Sequence, residues 1–77
     1  MITKSIDLLL DRLEIGDKNE VIRNPFSGQE VTLNPTEVAL YDFIKGCEFT
    51  GHYGDDFQVA LDYFINENVH AYTVLLD

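Results

Sequence analysis

The chain has 77 residues, 45% of them aliphatic or aromatic, which suffices for one domain (1–77) with a packed core and excludes a disordered chain. Fourteen Asp and Glu face five Lys and Arg, giving a formal net charge of −9, and this excludes direct binding of DNA, RNA or an anionic membrane, whose phosphates need cations. The single cysteine, Cys47, excludes an intramolecular disulfide and a multi-cysteine zinc site, and it fits a reducing cytoplasm.

In chain order, the start Met1-Ile2-Thr3-Lys4 lacks an apolar segment followed by small residues, so no signal peptide is expected. No apolar run approaches the roughly 20 residues of a membrane span. Residues 3–14 predict a helix: Ile2, Ile6, Leu9, Leu10 and Leu13 recur at the spacing of one buried face, with Thr3 or Ser5 as cap and Gly16 as stop. Residues 15–20 read as a polar loop. Glu20–Arg23 and Gln29–Leu33 are short β-prone runs around Asn24-Pro25-Phe26-Ser27-Gly28, whose residue types suit a turn ending in positive φ, and together they predict a hairpin. Alternation of Val31 and Leu33 with Glu30 and Thr32 predicts one buried strand face.

Asn34-Pro35-Thr36-Glu37 carries the strongest local signal, a capping box with Pro at the first helical position and Glu37 at the third. It predicts a helix to about Gly46 with Val38, Tyr41 and Ile44 on its apolar stripe, Leu40 and Cys47 as further candidates for it and Phe43 to one side. Residues 48–54 read as a glycine-punctuated connection, after which Asp55 or Asp56 caps a third helix with Phe57, Ala60, Leu61, Phe64 and Ile65 on one face. Asn66-Glu67-Asn68 marks an end or kink. In the tail, Val69, Tyr72 and Leu76 favour a short helix, while Thr73-Val74 is compatible with a strand. The expected fold is therefore mainly α with a small β-hairpin (α+β), in the order helix, hairpin, helix, helix, short C-terminal helix.

Candidate chemistry is sparse. Gly51-His52-Tyr53-Gly54 has a GxxG spacing, but Asp55 and Asp56 follow it and would repel a phosphate backbone. His52, Asp55, Asp56 and His70 do not have the spacing of a calcium loop or a zinc site, so no metal and no cofactor is expected. Cys47, placed at a helix end beside Glu48, is disfavoured as a thiolate and reads as a packing residue. Pairs such as Asp7/Asp11 and Asp55/Asp56 read as solvated surface rather than acid–base machinery, and a small domain has little room for a ligand pocket. No catalytic residue is assigned and the chain is expected not to be an enzyme.

The aromatics Phe26, Tyr41, Phe43, Phe49, Tyr53, Tyr63 and Tyr72 carry more weight. Phe26 at the hairpin tip, Phe43 and Tyr63 beside the apolar stripes, and Tyr53 and Tyr72 are candidate interface residues, because aromatics are enriched where proteins meet. They predict a protein partner and homo-oligomerisation, as a dimer, which would also help a small core. Asp7, Asp11, Glu14, Asp55, Asp56 and Asp62 form a candidate acidic surface on the first and third helices.

Val31-Thr32-Leu33-Asn34-Pro35-Thr36-Glu37-Val38-Ala39-Leu40 resembles the opening of the winged-helix domains of response regulators. The basic recognition helix of that family has no counterpart, since the third helix holds Asp55, Asp56, Asp62 and Glu67 and neither Lys nor Arg. DNA binding at low salt would be required of a regulator of that kind. Over more of the chain, Asn24-Pro25-Phe26-Ser27-Gly28, Asn34-Pro35-Thr36-Glu37, Tyr41-Asp42 and the ending Ala71-Tyr72-Thr73-Val74-Leu75-Leu76-Asp77 are similar to small proteins of tailed bacteriophages. That resemblance implies an accessory protein in a bacterial cytoplasm and no activity. The sequence thus points to a non-enzymatic protein–protein interaction module acting on a host or phage protein. The alternative is a DNA mimic, whose ordered carboxylates would block a nucleic-acid-binding protein.

Overall fold

The computed structural model describes residues 6–76. Its elements are α1 (Ile6–Arg12), β1 (Glu20–Arg23), β2 (Glu30–Leu33), α2 (Pro35–Thr50), α3 (Asp55–Glu67) and α4 (Val69–Leu75). The expected order and the α+β class hold. No helix of the described residues is long and apolar enough to cross a membrane.

The hairpin follows its turn chemistry. Asn24 Oδ1 accepts from the Phe26 and Ser27 N–H groups at 2.8 and 3.3 Å, and Gly28 has φ 78°, a conformation that costs glycine least. The strands pair antiparallel, Glu20 opposite Leu33 and Ile22 opposite Val31. This register puts Ile22, Val31 and Leu33 toward the helices and leaves Val21 exposed. Asn24 Nδ2 also donates to the Val74 carbonyl at 2.7 Å, which ties the turn to α4.

One core cluster draws on five of the six elements: Leu9 of α1, Leu33 of β2, Leu40 and Ile44 of α2, Ala60 and Phe64 of α3, and Ala71, Val74 and Leu75 of α4. The capping box at the start of α2 is complete. Glu37 N–H donates to Asn34 Oδ1 at 2.8 Å, and Asn34 N–H donates to Glu37 Oε1 at 3.0 Å. The carboxylate has a further role not anticipated from the sequence. Glu37 is buried, and its Oε2 accepts from Asn68 Nδ2 at 3.2 Å, while Asn68 Oδ1 caps α4 by accepting from Ala71 N–H. Two helix starts distant in sequence therefore share one satisfied polar junction beside the core.

Several boundaries differ from expectation. Helix α1 ends at Arg12 rather than residue 14: the Leu13 N–H reaches back to the Leu10 carbonyl in a tightened last turn, and Gly16 lies beyond the end. The proposed caps Thr3 and Ser5, and Ile2, lie outside the described residues. Helix α2 runs through Gly46 to Thr50, because Gly51, not Gly46, takes the left-handed φ of 77°. The Cys47 carbonyl then accepts from both the Gly51 and His52 N–H groups, which closes the helix. Helix α3 is capped by Gly54 without a side-chain bond, so Asp55 and Asp56 are its first two residues rather than its cap. In α4 the buried residues are Ala71, Val74 and Leu75; Val69 is exposed and Tyr72 and Leu76 are half-buried. The apolar stripe of α2 is carried by Leu40 and Ile44, with Val38, Tyr41 and Phe43 packed at its flanks.

Candidate functional site

The candidate interface aromatics, with Phe49, divide into two groups. Phe43, Tyr63 and Tyr72 are half-buried and pack against the core cluster. Phe26, Phe49 and Tyr53 are 97%, 93% and 63% exposed. Of the sequence candidates, Phe26 and Tyr53 therefore stand in solvent, and Phe49 joins them. A reading that ends α2 at Gly46 places Phe49 in the connection rather than on a helix. Once the helix continues to Thr50, Phe49 sits in its last turn, off the Leu40–Ile44 stripe and facing outward.

Phe26 is held at the hairpin tip by the Asn24 turn, whose side chain is anchored to α4. The other two belong to a separate corner where α2 turns into α3. Gly51 reverses the chain, and the short 51–54 connection brings Tyr53 back over α3. The Tyr53 and Phe57 rings meet edge to face at 5.0 Å and 85°, and the Tyr53 hydroxyl donates to the Glu48 carbonyl at 3.5 Å. Thr50 Oγ1 lies 3.3 Å from His52 Nδ1 and also donates to the Gly46 carbonyl, so the end of α2 is fastened by its own side chains.

An open groove of about 350 Å³ lies in this corner, lined by Phe43, Cys47, His52, Gly54, Asp55, Asp56 and Phe57. Phe43 of α2 and Phe57 of α3 supply its apolar walls, and the first residues of α3 supply its acidic lip. Asp56 is paired with Arg12 of α1, which fixes the end of α1 against the start of α3. On the α2 side Lys45 donates to Glu48 at 3.0 Å.

Cys47 is half-buried in the groove, and its thiol pKa is raised above the usual value, first by burial and then by the negative charges of Asp56 and Glu48. Those causes favour the neutral thiol, a packing group rather than a nucleophile. Cys47 lies about one turn before the end of α2, and burial first, then the Asp56 and Glu48 carboxylates, disfavour the thiolate. His52, Asp55 and Asp56 do line one groove, but among the described residues no three His, Cys, Asp or Glu side chains converge as metal ligands would.

Asp7 and Asp11 lie on α1 and Asp55, Asp56 and Asp62 on α3 as expected, whereas Glu14 lies beyond the end of α1. Asp7, Asp11, Glu14, Asp55 and Asp62 are exposed, and Asp56 is half-buried. Helix α1 packs on α3, so the two acidic helices are neighbours. They are not a bare carboxylate array: Arg12 joins Asp56, and Gln58 Nε2 donates to Asp62 Oδ1 at 2.9 Å. Comparisons with protein families, with curated proteins and with solved structures returned no match.

Proposed function

We propose that the protein is a non-enzymatic protein–protein interaction module. The observation that carries this reading is the exposure of Phe26, Phe49 and Tyr53 on a chain that buries Phe64 completely. Large aromatics in solvent forgo the stabilisation of burial, and they are the residue types that anchor protein interfaces. The raised pKa of Cys47 supports a packing role for that residue over catalysis. The resemblance to small phage proteins supports an accessory role on a host or phage protein in a bacterial cytoplasm.

Self-association belongs to the same reading, with Phe26 as the residue a second copy would cover. Sedimentation across a wide concentration range tests it. The expected result is a dimer that Phe26→Ser converts to monomer; a strict monomer at high concentration contradicts it. For a heterologous partner, binding through aromatics should tolerate salt, whereas purely ionic attachment should not.

The DNA-mimic reading is favoured by a different observation, the packing of α1, which carries Asp7 and Asp11, on α3, which carries Asp55 and Asp62. A mimic should capture basic nucleic-acid-binding proteins from a bacterial lysate and release them as salt is raised. Arg12, set among these acids, weighs against it.

A further inference from the structure

A helix of seven residues does not persist on its own hydrogen bonds, so α4 depends on what it docks against. Ala71, Val74 and Leu75 enter the core, and α4 packs on α3 and β2. Both ends of α4 are held by a side-chain amide with two partners. At the start, Asn68 Oδ1 accepts from the Ala71 N–H at 3.0 Å, and Asn68 Nδ2 donates to Glu37 Oε2 at 3.2 Å. In the last turn, where carbonyls lack a partner within the helix, the Val74 carbonyl accepts from Asn24 Nδ2 at 2.7 Å. Asn24 Oδ1 meanwhile accepts from the Phe26 N–H at 2.8 Å, so one side chain joins the end of α4 to the turn that presents Phe26.

Resting on the interaction-module reading for the role of Phe26, we propose that α4 is a latch on the hairpin tip. It docks and undocks as a unit, and the Phe26 turn keeps its form only while α4 is docked. Only Asn68, in a non-helical conformation, separates α3 from α4, so rotation at one residue carries α4 away as a body. Undocking takes the Val74 carbonyl from Asn24 Nδ2. The Asn24 side chain is then free to rotate, and the Phe26 and Ser27 N–H groups lose a fixed acceptor. Phe26 is 97% exposed, so this turn rather than packing sets its position. The Asn34–Glu37 bonds are local to the start of α2 and survive, so the opening stops short of that helix. A partner that grips the docked form of the turn also holds α4 closed, because coupling between two sites is reciprocal.

The test is native-state amide hydrogen exchange, followed by NMR on the isotope-labelled full chain. Asn→Asp substitutions suit it, because they keep the side-chain oxygen and remove the amide donor. Asn68→Asp retains the cap on the Ala71 N–H, loses the bond to Glu37 and sets a second carboxylate beside it. Asn24→Asp retains an acceptor for the Phe26 N–H and loses the bond to Val74. In the native chain the protected amides of α4 should exchange at least about tenfold faster than those of Leu40 and Ile44 in α2, as a separate opening unit does. Asn24→Asp should speed α4 exchange about three- to tenfold, the scale of one net hydrogen bond. Asn68→Asp is the decisive variant, since it touches nothing in the hairpin. It should speed α4 exchange by a similar factor of about three to ten, and the Phe26 and Gly28 amides in the same proportion. Asn68→Ser, which keeps a capping oxygen and adds no charge, repeats the test if Asn68→Asp does not fold.

Two results would overturn the latch. One is α4 exchanging in step with Leu40 and Ile44, which would make its opening global unfolding. The other is an Asn68 variant that speeds α4 while the Phe26 and Gly28 amides keep their native rates, which would uncouple the tip from the helix. No partner enters this measurement. The interaction-module reading fails separately, when a serine at positions 26, 49 and 53 leaves partner capture unchanged.

Discussion

Phe64 and Phe49 are the same residue type on helices packed together, with opposite fates: one is fully buried and the other is 93% exposed. Phe64 follows Ala60 on the core-facing stripe of α3, where it meets residues from the other helices. Phe49 occupies the last turn of α2, beyond Ile44 and off the buried stripe. Near the Glu37–Asn68 junction Leu33, Leu40, Phe64 and Ala71 are buried in the core, with Val69 exposed beside them, whereas the α2–α3 corner carries aromatic surface that the fold does not consume. Stability and recognition are thus assigned to different parts of a small molecule.

Substitutions break that comparison in graded fashion. Phe64→Ala should be the most damaging, at about 3–5 kcal/mol by chemical denaturation, since it removes a buried ring and leaves a cavity. That is a large part of the total stability of a domain this size. Glu37→Ala should cost about 1–3 kcal/mol, because it unpairs the Asn34 N–H and Asn68 Nδ2 together. Glu37→Gln should cost less, as the amide oxygen still accepts one of those bonds. Asn24→Ala should follow at about 1 kcal/mol, through loss of the turn bonds and of the link to Val74. Phe49→Ser and Phe26→Ser should change stability by no more than about 0.5 kcal/mol. A cost for Phe49→Ser comparable to that of Phe64→Ala would erase the distinction between the two regions.

Cys47 sharpens the comparison chemically. Its raised pKa lowers the thiolate fraction near neutral pH, so alkylation should be slower than for a free thiol and should accelerate as pH rises through the elevated value. Asp56→Asn should increase the rate at fixed pH by removing one of the charges that favour the neutral form. The folded-state pKa lies above the unfolded one, so the associated stability is fully present below the unfolded value and is lost as pH rises through the folded value.

Much of the fold was legible because its signals are local. The Asn34–Glu37 capping box, the Asn24–Gly28 turn and the Phe57–Phe64 stripe each depend on residues within a few positions of one another, and each forms as expected. What was not legible is tertiary. Gly46 is tolerated inside α2 because Leu40 and Ile44 anchor the helix, which overrides a propensity cost of about 1 kcal/mol. The burial of Glu37 depends on Asn68, far along the chain, and the pairing of Asp56 depends on Arg12. Extension of α2 past Gly46 moved Phe49 from an expected loop to an exposed helical face. The candidate surface was therefore legible in kind, as exposed aromatics, but only Phe26 and Tyr53 of the sequence candidates stand freely in solvent.

The most direct test of the account is capture from bacterial lysate at high salt, comparing the native chain with a variant carrying Phe26→Ser, Phe49→Ser and Tyr53→Ser together. The account predicts a protein retained by the native chain and absent from the variant, with the two chains melting at closely similar temperatures. Identical sets of captured proteins from two equally folded chains would contradict it.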